Sequence, residues 1–225
     1  MPQELTDLVR NLGISEKTFA GVNKVGKRIE ITPYDESHAD FFTHCYSRDN
    51  ESHLGYFVTK GWSPSIEEMV DKYGDKYKES AEYLKAREER HQNTLNRNSK
   101  DRYFFTILEE GRPIGYASVS EKEEDGQKEG RVSVMIGFQK DCNKERGTLA
   151  LRKMLEILAQ CSDFEVYDGK VEESNNPSLK MMRKVFGSDI EVTKDFENVY
   201  QTLDGKPETS VVQRQYFKRP QEFFF

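Results

Sequence analysis

The chain has 225 residues, 33% of them charged and 35% hydrophobic, with a formal net charge of −6. That length holds one large domain or two small ones, and the lack of any run of about 18 apolar residues excludes a helical membrane span. The acidic balance argues against nucleic acid as the main partner, and the three cysteines, Cys45, Cys142 and Cys161, lack C-x-x-C spacing and read as reduced thiols of a cytoplasmic protein.

In chain order, Leu5, Leu8, Val9 and Leu12 share one face and predict a short N-terminal helix, followed by a Gly-containing linker around Gly21 and Gly26. The acidic start has no apolar core of the secretory kind, so no leader is expected. Lys27 to Tyr34 alternates apolar and polar residues and reads as a strand, limited by Pro33. Asp35 or Ser37 then caps a helix running toward Arg48, with Ala39, Phe41, Phe42 and Cys45 as its apolar stripe. Ser63-Pro64-Ser65 followed by Glu67 and Glu68 is a second helix start. Ile66, Met69, Val70, Tyr73, Tyr77, Ala81, Leu84 and Leu95 recur near a helical period, predicting one long helix or two in tandem, with Gly74 the weak point.

Arg102 to Leu108 and Pro113 to Val119 read as strands joined by a Glu109–Arg112 hairpin turn, and Glu121 to Gly130 as a charged loop. Next come a strand over Arg131 to Phe138, a basic loop to Arg146, and a helix over Gly147 to Ala159. A strand near Phe164 to Lys170 then leads through an Asn-rich turn into a helix ending at Gly187. Ile190 to Thr193, Asn198 to Leu203 and Thr209 to Phe217 are expected closing strands, with a turn at Asp204-Gly205. The Phe223–Phe225 tail docks in an apolar groove or contacts another chain, which leaves a homodimer open.

A helix start directly after a strand and a cationic loop suits a phosphorylated cofactor, because free N–H groups and the positive dipole end face it. Lys140, Lys144, Arg146, Arg152 and Lys153 are the cations available there, unless they form an ordinary solvated face. The histidines, His38, His44, His53 and His91, show no metal-ligand spacing, and no metal is expected. Cys142 reads as a small loop-filling residue, with a covalent role the alternative.

Over roughly Lys27 to Phe217 this order of elements resembles the GCN5-related N-acetyltransferase (GNAT) family, and within it the type that acetylates the N-termini of ribosomal proteins. The resemblance rests on Ile114-Gly115 in the third strand and Ile136-Gly137-Phe138 in the fourth. Gly147-Thr-Leu-Ala-Leu-Arg at a helix start and Asn175-x-x-Ser178 before the last helix add to it. It implies an α/β (α+β) fold with a mixed, mostly antiparallel central sheet flanked by helices, acyl-CoA N-acyltransferase-like. The domain would span 27–217, with a helical insertion at about 65–100, between an N-terminal helix and linker (1–26) and a C-terminal tail (218–225).

The resemblance further implies acetyl-CoA as acyl donor, seated where the fourth and fifth strands splay apart. Its pantetheine arm would pair with the backbone of Ile136, Gly137 and Phe138, and its pyrophosphate would rest on Lys144, Arg146, Gly147 and Thr148. Asn175 would bond the arm or hold the turn. The acceptor would be an amine on a protein N-terminus, a lysine or a small molecule, attacking the thioester directly. Ser178 would protonate the departing thiolate, unless it or Asn176 serves only as a helix cap. Glu121, among the flanking carboxylates Glu123, Glu124 and Glu129, would act as base unless all four belong to a solvated hairpin, and an N–H near Gly137 or Phe138 would polarise the thioester carbonyl. Two positions depart from the family pattern. Glu145 stands for the first loop glycine, and Met182 for a tyrosine that many members carry. Those departures define the alternative, a catalytically degenerate protein of the same fold acting as a binding or regulatory partner.

Overall fold

In the computed structural model the described residues are 18–50, 53, 63–98, 102–124, 126–187, 192–201 and 207–225. Eight strands, β1 (Thr18–Val22), β2 (Arg28–Pro33), β3 (Arg102–Glu109), β4 (Arg112–Glu124), β5 (Gln127–Ile136), β6 (Val166–Glu172), β7 (Val192–Gln201) and β8 (Pro207–Pro220), form one sheet ordered β1-β2-β3-β4-β5-β6-β8-β7. Every neighbouring pair is antiparallel except β5 and β6. Among the described residues five helices flank it: α1 (Ala39–Cys45), α2 (Ile66–Tyr73), α3 (Ala81–Asn98), α4 (Arg146–Cys161) and α5 (Asn176–Phe186). This is the mixed, mostly antiparallel sheet that the order of elements implies.

The two faces of the sheet carry different cores. Ile29, Ile31, Phe105, Ile107, Val119, Val132, Tyr167 and Phe217 pack with α4 and α5, where Leu151, Met154, Leu155 and Leu158 recur every three or four residues and are fully buried. Each such side chain contributes roughly 1.5–3 kcal/mol on burial. The opposite face is aromatic: Tyr34, Phe42, Phe104 and Tyr116 cluster with Cys45 and Met135 beneath α1.

Several elements differ from the sequence reading. Part of the expected linker is an edge strand, β1, kinked by a bulge between Phe19 and Gly21, and its five residues, Thr-Phe-Ala-Gly-Val, carry no apolar–polar alternation. The predicted N-terminal helix lies outside the described residues. Asp35, not Ser37, makes the cap, accepting a bond from Ser37 N–H ahead of a short 3-10 turn and α1. The tandem-helix form is the observed one. Gly74, at φ 61°, ends α2, and a 3-10 segment follows to Glu79. That break resets the helical phase, so Tyr83, Ala86, Arg90 and Thr94 face inward while Leu84 and Leu95 are exposed. The expected loop at Glu121–Gly130 is mostly strand, because β4 runs to Glu124 and β5 starts at Gln127. Three short closing strands are two long ones, and the Asp204-Gly205 turn lies outside the described residues. In the tail, the Phe224 ring sits 5.5 Å from those of Tyr167 and Phe186, whereas Phe225 is 76% exposed.

The helical insertion is pinned to α1 at His44, whose Nε2 lies 3.2 Å from both the Tyr77 and Tyr83 hydroxyls. Burial, and then Lys78, hold the His44 pKa below its ordinary value, against the opposing pull of Asp40 and Asp49. The unfolded chain therefore takes up this proton more readily than the native one. The stabilising contribution is complete above the ordinary histidine value of about 6.5 and is lost as the pH falls below it. Amide protection factors in α3, taken relative to the intrinsic exchange rate at each pH, are expected to fall between neutral and mildly acidic pH, and His44→Gln to remove that fall.

Candidate active site

The parallel β5–β6 ladder is short. It pairs Glu129, Gly130 and Arg131 with Val166, Tyr167 and Asp168, and beyond those residues the strands diverge. Arg131 grips the buried Asp168 carboxylate at the vertex, with contacts of 2.8 and 3.0 Å. The divergence opens a cleft of about 700 Å³, floored by Val134, Met135 and Ile136 and closed by the starts of α4 and α5. That volume lies within the usual range for small-molecule sites, about 300–1,000 Å³.

The start of α4 reaches the cleft because residue 147 has no side chain: a Cβ there would stand 3.1 Å from Met181 Sδ and 3.2 Å from Val134 Cγ1. Gly147 and Thr148 line the cleft, and the first turn carries no acidic residue. Their N–H groups belong to the turn that has no intrahelical acceptors. Asn175 caps α5 by accepting from Ser178 N–H at 3.2 Å, which removes Asn176 and Ser178 from that role. Both Asn175 and Ser178 line the cleft.

Other expected site residues are placed elsewhere. Gly137 spends its N–H on Ile114 O (2.8 Å) and its carbonyl on Asn50 Nδ2 (2.7 Å), so it is engaged within the fold. A Cβ at Gly137 would collide with Phe41 and Cys45, so the position serves the packing of α1. Phe138 turns to the aromatic face and packs against Phe41. The strand edge facing the cleft is therefore Val134–Ile136, shifted back from the expected 136–138. Lys144 does not line the cleft, and its ammonium bonds the Lys140 carbonyl at 3.0 Å. Glu121 lies near the far end of β4, opposite Gly130, and pairs with Lys128 at 3.5 Å. Cys142 lines the cleft, but burial and then Asp141 push its thiol pKa up, which fits a filler and not a nucleophile.

Arg146 has the largest change of role. It is buried, donating to Glu109 through Nε (2.7 Å) and to the Asp141 carbonyl through a terminal nitrogen (2.6 Å). Asn23, Lys27 and Arg112 surround the same Glu109 carboxylate. Its charge locks the loop before α4 to the β3–β4 turn. Arg146 still lines the cleft, but its charge is spent on these partners, and the further cations of the lining are Lys24, Lys180, Arg183 and Lys184. The three on α5 were legible as an i, i+3, i+4 set on one helix face; Lys24, in the β1–β2 turn, carried no local signal. His53 was also missed, and its Nε2 lies 2.9 Å from Ile136 O in the cleft.

A model of the acetyltransferase (GNAT) family matches residues 66–187. The chain belongs to that family. No curated protein sequence gives a significant match. Among solved structures, Mycobacterium smegmatis RimJ in complex with CoA-disulfide aligns at TM-score 0.60 and 10% identity, over 92% of this chain and 86% of that one. RimL, a ribosomal L7/L12 alpha-N-protein acetyltransferase in complex with coenzyme A, aligns at 0.59 and 12%, over 91% and 98%. Ribosomal-protein-S5-alanine acetyltransferase from Vibrio fischeri aligns at 0.56 and 13%, over 91% and 100%. At such identities the likeness shows the fold.

Acetyl-CoA is the acyl donor of the GNAT family, and the cleft lies at the strand divergence the resemblance implies for it. Among the described residues no group of His, Cys, Asp and Glu is arranged to hold a metal ion, and no helix is long and apolar enough to cross a membrane. The Arg146–Glu109 pair gives a direct test of what secures the loop. Removing one partner of a buried ion pair costs about 3–5 kcal/mol, whereas an apolar pair of similar volume is often tolerated. Glu109→Ala is expected to lose stability on that scale in urea unfolding, and the double replacement Glu109→Met with Arg146→Met to recover only part of it, because Asn23 and the Asp141 carbonyl still lack their partners.

Proposed function

We propose that the protein transfers the acetyl group of acetyl-CoA to the primary amine of a polypeptide N-terminus in the cytoplasm. The observation that carries this reading is the continuous path from the open β5 edge at Val134–Ile136 to the N-terminus of α4 at Gly147–Thr148. An exposed strand edge recruits an extended, amide-bearing chain. A helix N-terminus flanked by lysines takes phosphate. The two lie end to end in one cleft, which is the order in which coenzyme A carries those groups. When bound, acetyl-CoA supplies an activated acyl group that an amine attacks directly.

The chain's own residues divide the remaining work. Lys24, Lys180, Arg183 and Lys184 bring positive charge to the mouth of a cleft in a net acidic chain. Gly147 lets the helix backbone approach. Asn175 fixes the turn before α5, so that the Ser178 hydroxyl, at the start of that helix, can give a proton to a departing thiolate. Glu121 is remote from the cleft and ion-paired, which speaks against it as the base. The polypeptide acceptor is favoured by the structural relatives, one of which, from Salmonella typhimurium, is described as modifying the N-terminal serine of ribosomal protein L7/L12.

A non-catalytic binding protein of the same fold is the second reading. It is favoured by Met182, which is buried against β6 and does not line the cleft, and by His53, which already bonds the Ile136 carbonyl. Calorimetry with acetyl-CoA, followed by thiol release with N-terminal peptides as acceptors, separates the two. The enzyme reading expects binding that Gly147→Trp abolishes, and a fall in kcat of at least about tenfold in Ser178→Ala with KM for acetyl-CoA little changed. Binding without turnover for any amine would leave the regulatory reading standing, and absence of binding would remove acetyl-CoA from both.

A further inference from the structure

Glu145 holds the place where the family pattern has its first loop glycine, and it adopts a glycine-like backbone, with φ 63° and ψ 7°. That left-handed conformation is one a glycine takes at little cost and other residues seldom adopt. The course of the loop is therefore kept, and the side chain is the new feature. Glu145 is the N-cap of α4, yet its carboxylate makes no capping bond to the helix. It reaches sideways, with Oε1 2.5 Å from Lys184 Nζ on α5 and 3.3 Å from Lys24 Nζ in the β1–β2 turn. All three residues line the mouth of the cleft. The Lys184 bond, with further help from Lys24, holds the Glu145 pKa below its ordinary value.

We propose that Glu145 is a resident competitor for the phosphate seat, an anion built into the loop that occupies Lys24 and Lys184 until a polyphosphate displaces it. The inference rests on the acetyl-CoA reading of the cleft and adds a control on its affinity. Two lysines from separate elements converge on one carboxylate at the spot where a pyrophosphate would meet them. An arriving diphosphate brings more charge than the single carboxylate and takes both lysines in exchange. The freed carboxylate returns to water at little cost, because the side chain is already 32% exposed and exposed ion pairs are weak. The competitor is thus displaceable and does not block the seat. It lowers the affinity of every polyphosphate ligand alike, including the coenzyme A left after transfer, and so favours its release.

The test uses the full chain and two probes, acetyl-CoA and inorganic pyrophosphate, titrated calorimetrically at low and high salt. Glu145→Gln is expected to bind both about three- to tenfold more tightly at low salt, with the advantage shrinking as salt screens the lysines. Glu145→Gly is expected to behave the same way, because the backbone already has a glycine-like conformation. Lys184→Ala is expected to weaken binding and to reduce the gain from Glu145→Gln, leaving the part that comes through Lys24. Unchanged or weaker binding in Glu145→Gln would overturn the competitor role and make the carboxylate a holder of the lysines. Loss of the acetyl-CoA reading would show differently, as no acetyl-CoA binding in the unaltered chain or either variant.

Discussion

The site depends on the sheet giving up hydrogen bonds in its own middle. β5 and β6 are paired for three residues each, and past Arg131 and Asp168 they diverge. Backbone groups left unpaired inside a protein are costly, so such a gap persists only where something else secures it. Three devices do so here. The Arg131–Asp168 ion pair fixes the vertex, β8 takes the other side of β6 along its whole length, and Gly147 lets α4 press its first turn against the β5 wall. The Ile136 carbonyl, on the opened stretch, already has a hydrogen-bond partner in His53. The divergence sets the width of the cleft, the edge it exposes and the direction from which α4 aims its N-terminus.

Charge follows the same geometry. The chain is acidic, yet the cleft mouth gathers four cationic side chains from two elements. Arg146, which stands nearest the helix start in sequence, is withdrawn into the fold by Glu109 and by the loop carbonyl at Asp141. A guanidinium suits that task because its planar fork can bond a carboxylate and a carbonyl at once. The compact ammonium groups of Lys24 and Lys184 are left for the mouth, where exchange between partners matters more than a fixed geometry.

The sequence made the strands of the core, α4, α5 and the cleft-facing helix start legible, because each carried a local period, a cap or a glycine. Gly147, Thr148, Ile136, Asn175 and Ser178 fall at the cleft for that reason. What was not legible depends on contacts between distant segments. Nothing near Lys24 announces that its turn will arch over the start of α4. Nothing near Arg146 announces Glu109, which lies 37 residues earlier in the chain. The phase of α3 was misread because a 3-10 segment rotates the helix after Gly74, and a helical template drawn across the break cannot register that rotation. Gly137 also answers to a distant contact: the packing of Phe41 and Cys45 against it leaves no room for a side chain, and nothing in its own strand announces that.

The same distinction bears on Met182, the position where many family members carry a tyrosine. α5 has two faces. Pro177, Ser178, Lys180, Met181 and Lys184 border the cleft, while Leu179, Met182, Val185 and Phe186 are buried in the core. Ser178 therefore stands at the boundary, and Met182, one turn later, falls on the core side of it. Its Cε occupies the space a Cβ would need at Gly169, on the strand that forms the far wall of the divergence. A tyrosine there would have to push aside β6 or rotate the helix, and rotation would carry Ser178 and Met181 away from their present places. The methionine is thus tied to the orientation of α5 that brings Ser178 to the cleft. Met182 is a packing residue of α5, and under the acetyl-transfer reading the hydroxyl that this orientation brings to the cleft is that of Ser178.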